Sequence, residues 1–310
     1  MLSRVAESLF WMSRYLERAE HTSRVLSVQL NLMLERGVGS DDHHWSRVLH
    51  SLGIDPEADI TPRAQALGLI RSGVSGSSIA ACIAAARENA RQVREQISTE
   101  MWEQLNRLYH QAKPPETGNP RDFLDAVQNG SHMFQGITDA TMTHGEGWEF
   151  IQCGRFLERS LLLSSLVSVH YREFFTPGMT EVEPLEWTGL LQSCTAFEAY
   201  CKTYTADLRA DRIAEFLVLN ALFPHSIRFS ADALRHSLAK IGNDLPTRRS
   251  ARVDRIAGRM ESTLAFGQID EIMAAGLHAY LDSARRQVNQ VSAALYQTFI
   301  SYPVEAALSA

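Results

Sequence analysis

The chain has 310 residues, 45% of them hydrophobic and 21% charged, with a net charge of −6. This composition predicts a globular chain with length for one large domain or two ordinary ones, and it excludes the concentrated basic face that nucleic acid requires. Among the 30 basic residues only Lys113, Lys202 and Lys240 are lysines. Such a skew fits a GC-rich coding bias, or a demand for forked, permanently charged donors that pair carboxylates bidentately.

Helical periodicity begins at once. Leu2, Val5, Leu9, Met12, Leu16, Ala19, Leu26 and Leu30 follow three- and four-residue steps and predict one apolar stripe on a long first helix. Opposite that stripe Glu7, Arg14, Glu17, Arg18, His21 and Arg24 share one polar arc. A second long helix is expected from about Ser77 to His110, some 50 Å in length, with Ile79, Ile83, Ala90, Val93, Ile97, Met101 and Leu108 on its buried side. The stretch around Phe150 to Leu166 is apolar nearly all round and is expected to be buried. Breaks fall at Gly53–Pro62, Lys113–Pro120, Thr176–Pro184, Phe223–His225 and Gly242–Pro246. No clean two-residue alternation occurs, which argues against strands.

Cys82, Cys153, Cys194 and Cys201 lack metal spacing and fall within helical patterns, so buried reduced thiols are expected. The longest apolar run, Leu161 to Val169, is too short to cross a bilayer, which takes about 20 residues. No leader pattern opens the chain, and a cytoplasmic location follows as the expectation.

An internal repeat organises these elements. Ser13-Arg14-Tyr15-Leu16-Glu17-Arg18-Ala19 recurs 141 positions later as Gly154-Arg155-Phe156-Leu157-Glu158-Arg159-Ser160. Trp45 with Val48-Leu49 matches Trp187 with Leu190-Leu191, and Ser78-Ile79 with Arg87 matches Ser226-Ile227 with Arg235. The expected fold is all-α, an elongated helical bundle of two tandem pseudo-symmetric repeats of about five helices. The repeats would span 1–142 and 143–310 within a single domain, 1–310, with the second interrupted at Gly242–Pro246 where the first runs on.

Charges on the buried second motif must find partners, because an unpaired buried ion costs several kcal/mol. The matching residues of the first motif are the natural candidates. An interior network of Arg14, Glu17 and Arg18 with Arg155, Glu158 and Arg159, joined by Arg24, is therefore expected. It would serve either to fix helix register or to bind an anion or carboxylate through guanidinium forks. A second constellation comprises Arg87, Glu88, Asn89 and Arg91, followed by Arg94, Glu95, Trp102 and Asn106. On one continuous helix Glu88, Arg91, Glu95, Trp102 and Asn106 would share a face.

Glu17, Glu88 and Glu158 are the candidate general acids or bases. No Glu-x-x-His pairs suggest a metal, and no glycine-rich nucleotide loop, Walker lysine or nucleophile elbow is present, so no cofactor is expected. Gly73 to Ser78 could offer amides to an anion but reads more simply as a loop ending in a serine cap, and Phe223 to Ser226 reads likewise.

Leu2 to Ser8, Trp11-Met12, Arg14 to Glu20, Ala86 to Arg91 with Ile97-Ser98 and Trp102, and Gly154 to Arg159 together resemble the bacterial alpha-E family. One departure is His225, where the family's Phe-Pro-x-Ser segment usually carries an arginine. The resemblance implies an all-helical domain named for its glutamates, without an established activity. It also implies a genomic setting beside, or fusion to, circularly permuted ATP-grasp proteins and transglutaminase-like proteases, hence a role in forming or processing an amide-linked product. Three readings remain open. The chain is a non-catalytic partner that binds the ligase, its peptide substrate or its product; an enzyme using a glutamate with arginine clamps; or a scaffold. No nucleic-acid or membrane partner is expected.

Overall fold

Thirty-four residues without glycine or proline give the first helix its length. In the computed structural model α1 spans Ser3–Arg36, about 51 Å at 1.5 Å per residue. The structure describes residues 1–36, 42–71, 76–112, 119–176, 183–205, 207–244 and 248–301. Among them are fourteen α-helices and no strand. After α1 come α2 (Asp42–Ser51), α3 (Pro62–Arg71), α4 (Ile79–Gln92), α5 (Thr99–Gln111) and α6 (Pro120–Thr141). The long α7 (Glu146–Phe174) follows, then α8 (Pro184–Ser193), α9 (Phe197–Tyr204), α10 (Ala210–Leu219), α11 (Ile227–Asp244), α12 (Arg248–Ala265), α13 (Ile269–Ala275) and α14 (Leu277–Leu295).

The two longest helices form the axis. α1 and α7 lie against each other; α4, α6 and α8 pack on α1, and α2, α11 and α14 pack on α7. Glu146 and Glu149 in the first turn of α7 and Arg172 in its last suit the helix dipole. Where α1 crosses α7 the backbones nearly touch. A Cβ at Gly154 would overlap the Phe10 carbonyl oxygen and the Ser13 hydroxyl, so only glycine fits there. Ser13 Oγ donates to the Ile151 carbonyl oxygen at 2.7 Å and ties the crossing. The core spreads outward from this point through Leu9, Phe10 and Met12 of α1, Phe150 and Leu157 of α7, and the fully buried Trp45 and Trp187.

The first apolar stripe is buried except at its ends: Leu2 is exposed, and Val5 and Leu30 are half-buried. The second long helix is not continuous. Val93 leaves the helical region at φ −125°, ψ 33°, a single 3₁₀ turn covers Arg94–Gln96, and Ser98 caps α5 by accepting the Met101 N–H at 3.1 Å. Serine favours a helix start because its oxygen satisfies an orphan amide. The seven expected apolar positions are nevertheless all buried, because α4 and α5 pack against each other. The first half of the chain is therefore as interrupted as the second, contrary to the expected contrast.

Gly53, at φ +72°, turns the chain out of α2. Asn119 caps α6, and proline opens α3, α6 and α8 where its missing N–H costs nothing. Ser78 and Ser226 act as helix caps, accepting from Ala81 N–H and Phe229 N–H. Within the expected breaks, positions 113–118, 177–182 and 245–246 lie outside the described residues, as do 73–75 of the Gly73–Ser78 loop. Cys82, Cys153 and Cys194 are buried thiols and Cys201 is half-buried. Burial pushes the Cys82 and Cys194 thiols up to about 11 and about 12. Among the described residues no helix is long and apolar enough to cross a membrane.

Candidate functional site

The close crossing at Gly154 brings the two Arg-x-x-Glu-Arg motifs face to face. Glu158 accepts Arg14 Nε at 2.7 Å on one carboxylate oxygen and Arg18 Nε at 2.7 Å on the other. In return Arg159 holds Glu17 bidentately, Nε to Oε1 at 2.5 Å and Nη2 to Oε2 at 3.0 Å. Each glutamate is thus clasped by arginines from the opposite helix. Charge-assisted, forked pairs of this kind are the strong ones, and they satisfy groups that burial would otherwise penalise.

The two clasps differ in access. Glu17 and Arg159 are each 2% exposed, and the third nitrogen of Arg159 donates to the Pro224 carbonyl oxygen at 3.1 Å, under the turn before α11. Arg155 is 3.9 Å from Glu17 and donates to Gln135 Oε1 at 2.8 Å. Burial, with the neighbouring Arg159 charge, brings Arg155 down to about 10. Between Arg155, Glu17 and Gln135 lies a void of only about 20 Å³, room for a single water. On the other side Arg18 is 30% exposed. Burial works against its charge, but Glu158 outweighs that and raises its pKa. Arg18 and Glu158 line a cavity of about 340 Å³ with Thr22, Ser77, Arg285 and Asn289.

Arg24 joins a neighbouring cluster. It donates to Glu20 Oε1 at 2.9 Å and lies 3.3 Å from His132 Nε2, which is itself 3.6 Å from Glu20. The hydrogen bond from His132 and the charge of Arg24 outweigh burial and hold Glu20 well below the usual carboxylate range. Burial pushes His21 down to about 4. His225, the departure from the family pattern, sits in the same neighbourhood, where burial and then the Arg159 charge hold it well below an ordinary imidazole.

The second expected constellation is brought together only in part, around Trp102. With the helix broken at Val93, Arg87 reaches across to Asn106 Oδ1 at 2.6 Å and lies over the rings of Trp102 and Tyr109. Glu88 and Arg91 form an exposed pair, with bonds of 2.9 and 2.7 Å. The bond from Arg91 lowers the Glu88 pKa. Asn89 donates back to the Ala85 carbonyl oxygen at 2.8 Å, and Glu95 is exposed on the 3₁₀ turn. Arg94 stands over Trp102 at 5.6 Å. Glu88 is a solvated surface acid.

Several groups escaped the sequence reading. Buried Arg47 bonds Glu173 at 3.2 Å and Glu186 at 3.0 Å, tying α2 to α7 and α8. Its place two residues after the landmark Trp45 was the available signal. Arg172 and His278 meet across α7 and α14, a pairing that no spacing announces because 106 positions separate them.

A family model described as a predicted alpha-helical domain with a conserved ER motif matches residues 1–300. Such dipeptides stand in the clasps as Glu17-Arg18 and Glu158-Arg159. Among curated proteins, uncharacterised proteins of Mycobacterium bovis and Mycobacterium tuberculosis are 25% identical over 326 aligned positions, covering 90% of this chain and 34% of theirs. The chain therefore spans about a third of the length of the curated relatives it matches. No solved structure matches it. With the family's helical character and its glutamate–arginine motif both present across nearly all of its length, the chain belongs to the Alpha-E family.

Proposed function

We propose that this protein is a non-catalytic helical partner of an ATP-grasp amide or peptide ligase system, binding the ligase, its peptide substrate or its product at the open edge of the Arg/Glu clasp. The observation that carries this reading is the state of the motif's charges. Both carboxylates already accept from guanidinium groups on both oxygens, while Arg18 keeps a face toward a 340 Å³ cavity. A carboxylate held in that way is poorly placed to exchange protons, whereas an accessible guanidinium fork suits recognition of a carboxylate. The ligase connection itself comes from the family resemblance. The relatives' threefold greater length agrees with it, since a helper unit works equally well joined to further sequence or supplied separately.

The same reading takes the chain as two tandem repeats, 1–142 and 143–310, working in the cytoplasm where ATP is available. Reciprocal pairing of like-placed residues, Arg14 and Arg18 with Glu158 and Arg159 with Glu17, is what a pseudo-two-fold arrangement produces. The test is a mixed size-exclusion and calorimetric titration with a circularly permuted ATP-grasp protein encoded beside the gene. A complex at micromolar concentration that weakens at least tenfold in Arg18→Ala is expected. No complex with the unaltered chain, with or without ATP and peptide, overturns the proposal.

One observation favours the enzymatic alternative: Glu158 lies on the wall of that same cavity. Unchanged turnover by Glu158→Gln in a reconstituted ligase reaction removes it.

A further inference from the structure

Beyond the clasp, the 340 Å³ cavity shares Gly53, Ser165 and Arg285 with a larger cleft of about 810 Å³ between α2, α7 and α14. Its floor is the C-terminal half of α7. Glu158 and Arg172 at the two ends are fourteen residues apart on that helix, about 21 Å. An extended peptide of about six residues has that span.

The far end of the cleft holds a contradiction in hydrogen bonding. Arg172 Nη2 lies 2.6 Å from His278 Nε2 and 3.2 Å from Nδ1. Asp282 Oδ2 lies 3.2 Å from the same Nε2, and Ser168 Oγ is 2.5 Å from Nδ1. A guanidinium only donates and a carboxylate only accepts. The ring nitrogen between them must therefore be unprotonated to satisfy Arg172 and protonated to satisfy Asp282. It cannot do both. Every other carboxylate bordering the cleft except Asp55 has a cation at hand: Glu173 has Arg47 at 3.2 Å, and Asp282 has Arg285 at 3.6 Å. Among the described residues no carboxylate lies within salt-bridge distance of Arg172; its polar partner is an imidazole.

We infer that the cleft binds a peptide-sized ligand through a carboxylate, which takes the place of His278 as the partner of Arg172 and is met from α14 by Arg285. Binding then resolves the conflict. With the guanidinium turned to the ligand, His278 carries its proton on Nε2 and donates to Asp282. Its Nδ1 accepts from the Ser168 hydroxyl. The proton moves between ring nitrogens by exchange with water, so no net proton is taken up.

A planar monoanion fits better than a phosphoryl dianion. The fork of Arg172 matches a carboxylate, and the fixed charges of Asp55, Glu173 and Asp282 in the same cleft oppose a second negative charge. This inference rests on the cleft and not on the ligase partnership, so either can fail without the other.

Acetate is the probe, followed by the arginine Nε and histidine ring ¹⁵N signals of the full chain. Expected are saturable shifts of Arg172 and Arg285, half-complete at millimolar acetate. The His278 ring should change at the same time from an unprotonated to a protonated Nε2. Arg172→Gln should abolish the response, and Arg285→Gln should weaken it several-fold. As a second arm, tetra-alanine should bind at least tenfold more tightly than its C-terminal amide. Equal shifts with sodium chloride at matched ionic strength, an unchanged acetate response in Arg172→Gln, or no preference for the free carboxylate overturn the proposal. Tighter binding of inorganic phosphate than of acetate overturns the choice of carboxylate.

Discussion

The two clasps at the α1–α7 crossing use the same residue types in the same order and end in different environments. Glu17 and Arg159 are sealed beneath the turn that carries Pro224, while Glu158 and Arg18 border a cavity. What differs is the cover. α11 and its preceding turn close over one side, and on the other side α2 and α14 leave a gap. An ion pair gives a different return in the two settings. Sealed, it must be complete, because a lone buried ion is expensive; at an opening, solvent screens the pair and one partner is free to exchange for a ligand.

The largest effect should come from breaking the sealed clasp. Arg159→Ala leaves Glu17 buried without its bidentate donor and is expected to cost about 3–5 kcal/mol in urea unfolding. If it costs no more than Arg18→Ala, the two sides are equivalent and the comparison fails. Arg155, expected from the sequence to be a core member, should matter less, since it is 26% exposed and bonds chiefly to Gln135.

Acidification sharpens the comparison next. Folding holds His21 and His170 neutral at about 4 and about 3, below the ordinary 6.5, because burial disfavours their charged forms. The unfolded chain thus binds more protons over that interval. Stability should be full above about pH 6.5 and decline as pH falls toward 4, by about 3 kcal/mol for His21 alone. His21 lies beside the sealed clasp, within the fields of Glu20, Arg24 and Arg159. His21→Gln should flatten the decline in urea midpoints between pH 7.5 and 4.5, and an unchanged slope would show that other groups carry it.

Gly154→Ala tests the crossing on which both clasps depend. The added methyl has nowhere to go between Phe10 and Ser13, and a cost of about 1–3 kcal/mol in thermal melts is expected. Smallest of all, Arg91→Ala at the exposed Glu88 pair should leave the urea and thermal midpoints essentially unchanged, because solvent screens that pair. A larger loss there would mean that the outer face does more than its exposure implies.

Much of this was legible in the residues. Periodicity without glycine or proline dictated α1, and an all-round apolar segment dictated the burial of α7. The rule that buried charges need partners pointed to a network between the two motifs, though not to which arginine meets which glutamate. Local signals at the Val93–Ser98 break were weaker than the apolar pattern running through it, so one long helix was expected where two packed ones stand. A bend keeps the buried positions buried while scattering the polar ones, which is why Glu88, Arg91, Glu95, Trp102 and Asn106 do not share the face their spacing predicts while the core positions stay buried.

Helical order, the core stripes and the complementary charges of the two motifs are therefore properties of the chain itself, since they follow from spacing along it. Which clasp is sealed, where the cleft opens and that Arg172 meets His278 were decided only by tertiary structure. Those outcomes depend on how α2, α11 and α14 cover α7, and that cover, unlike the repeated motif, leaves no trace in residue spacing.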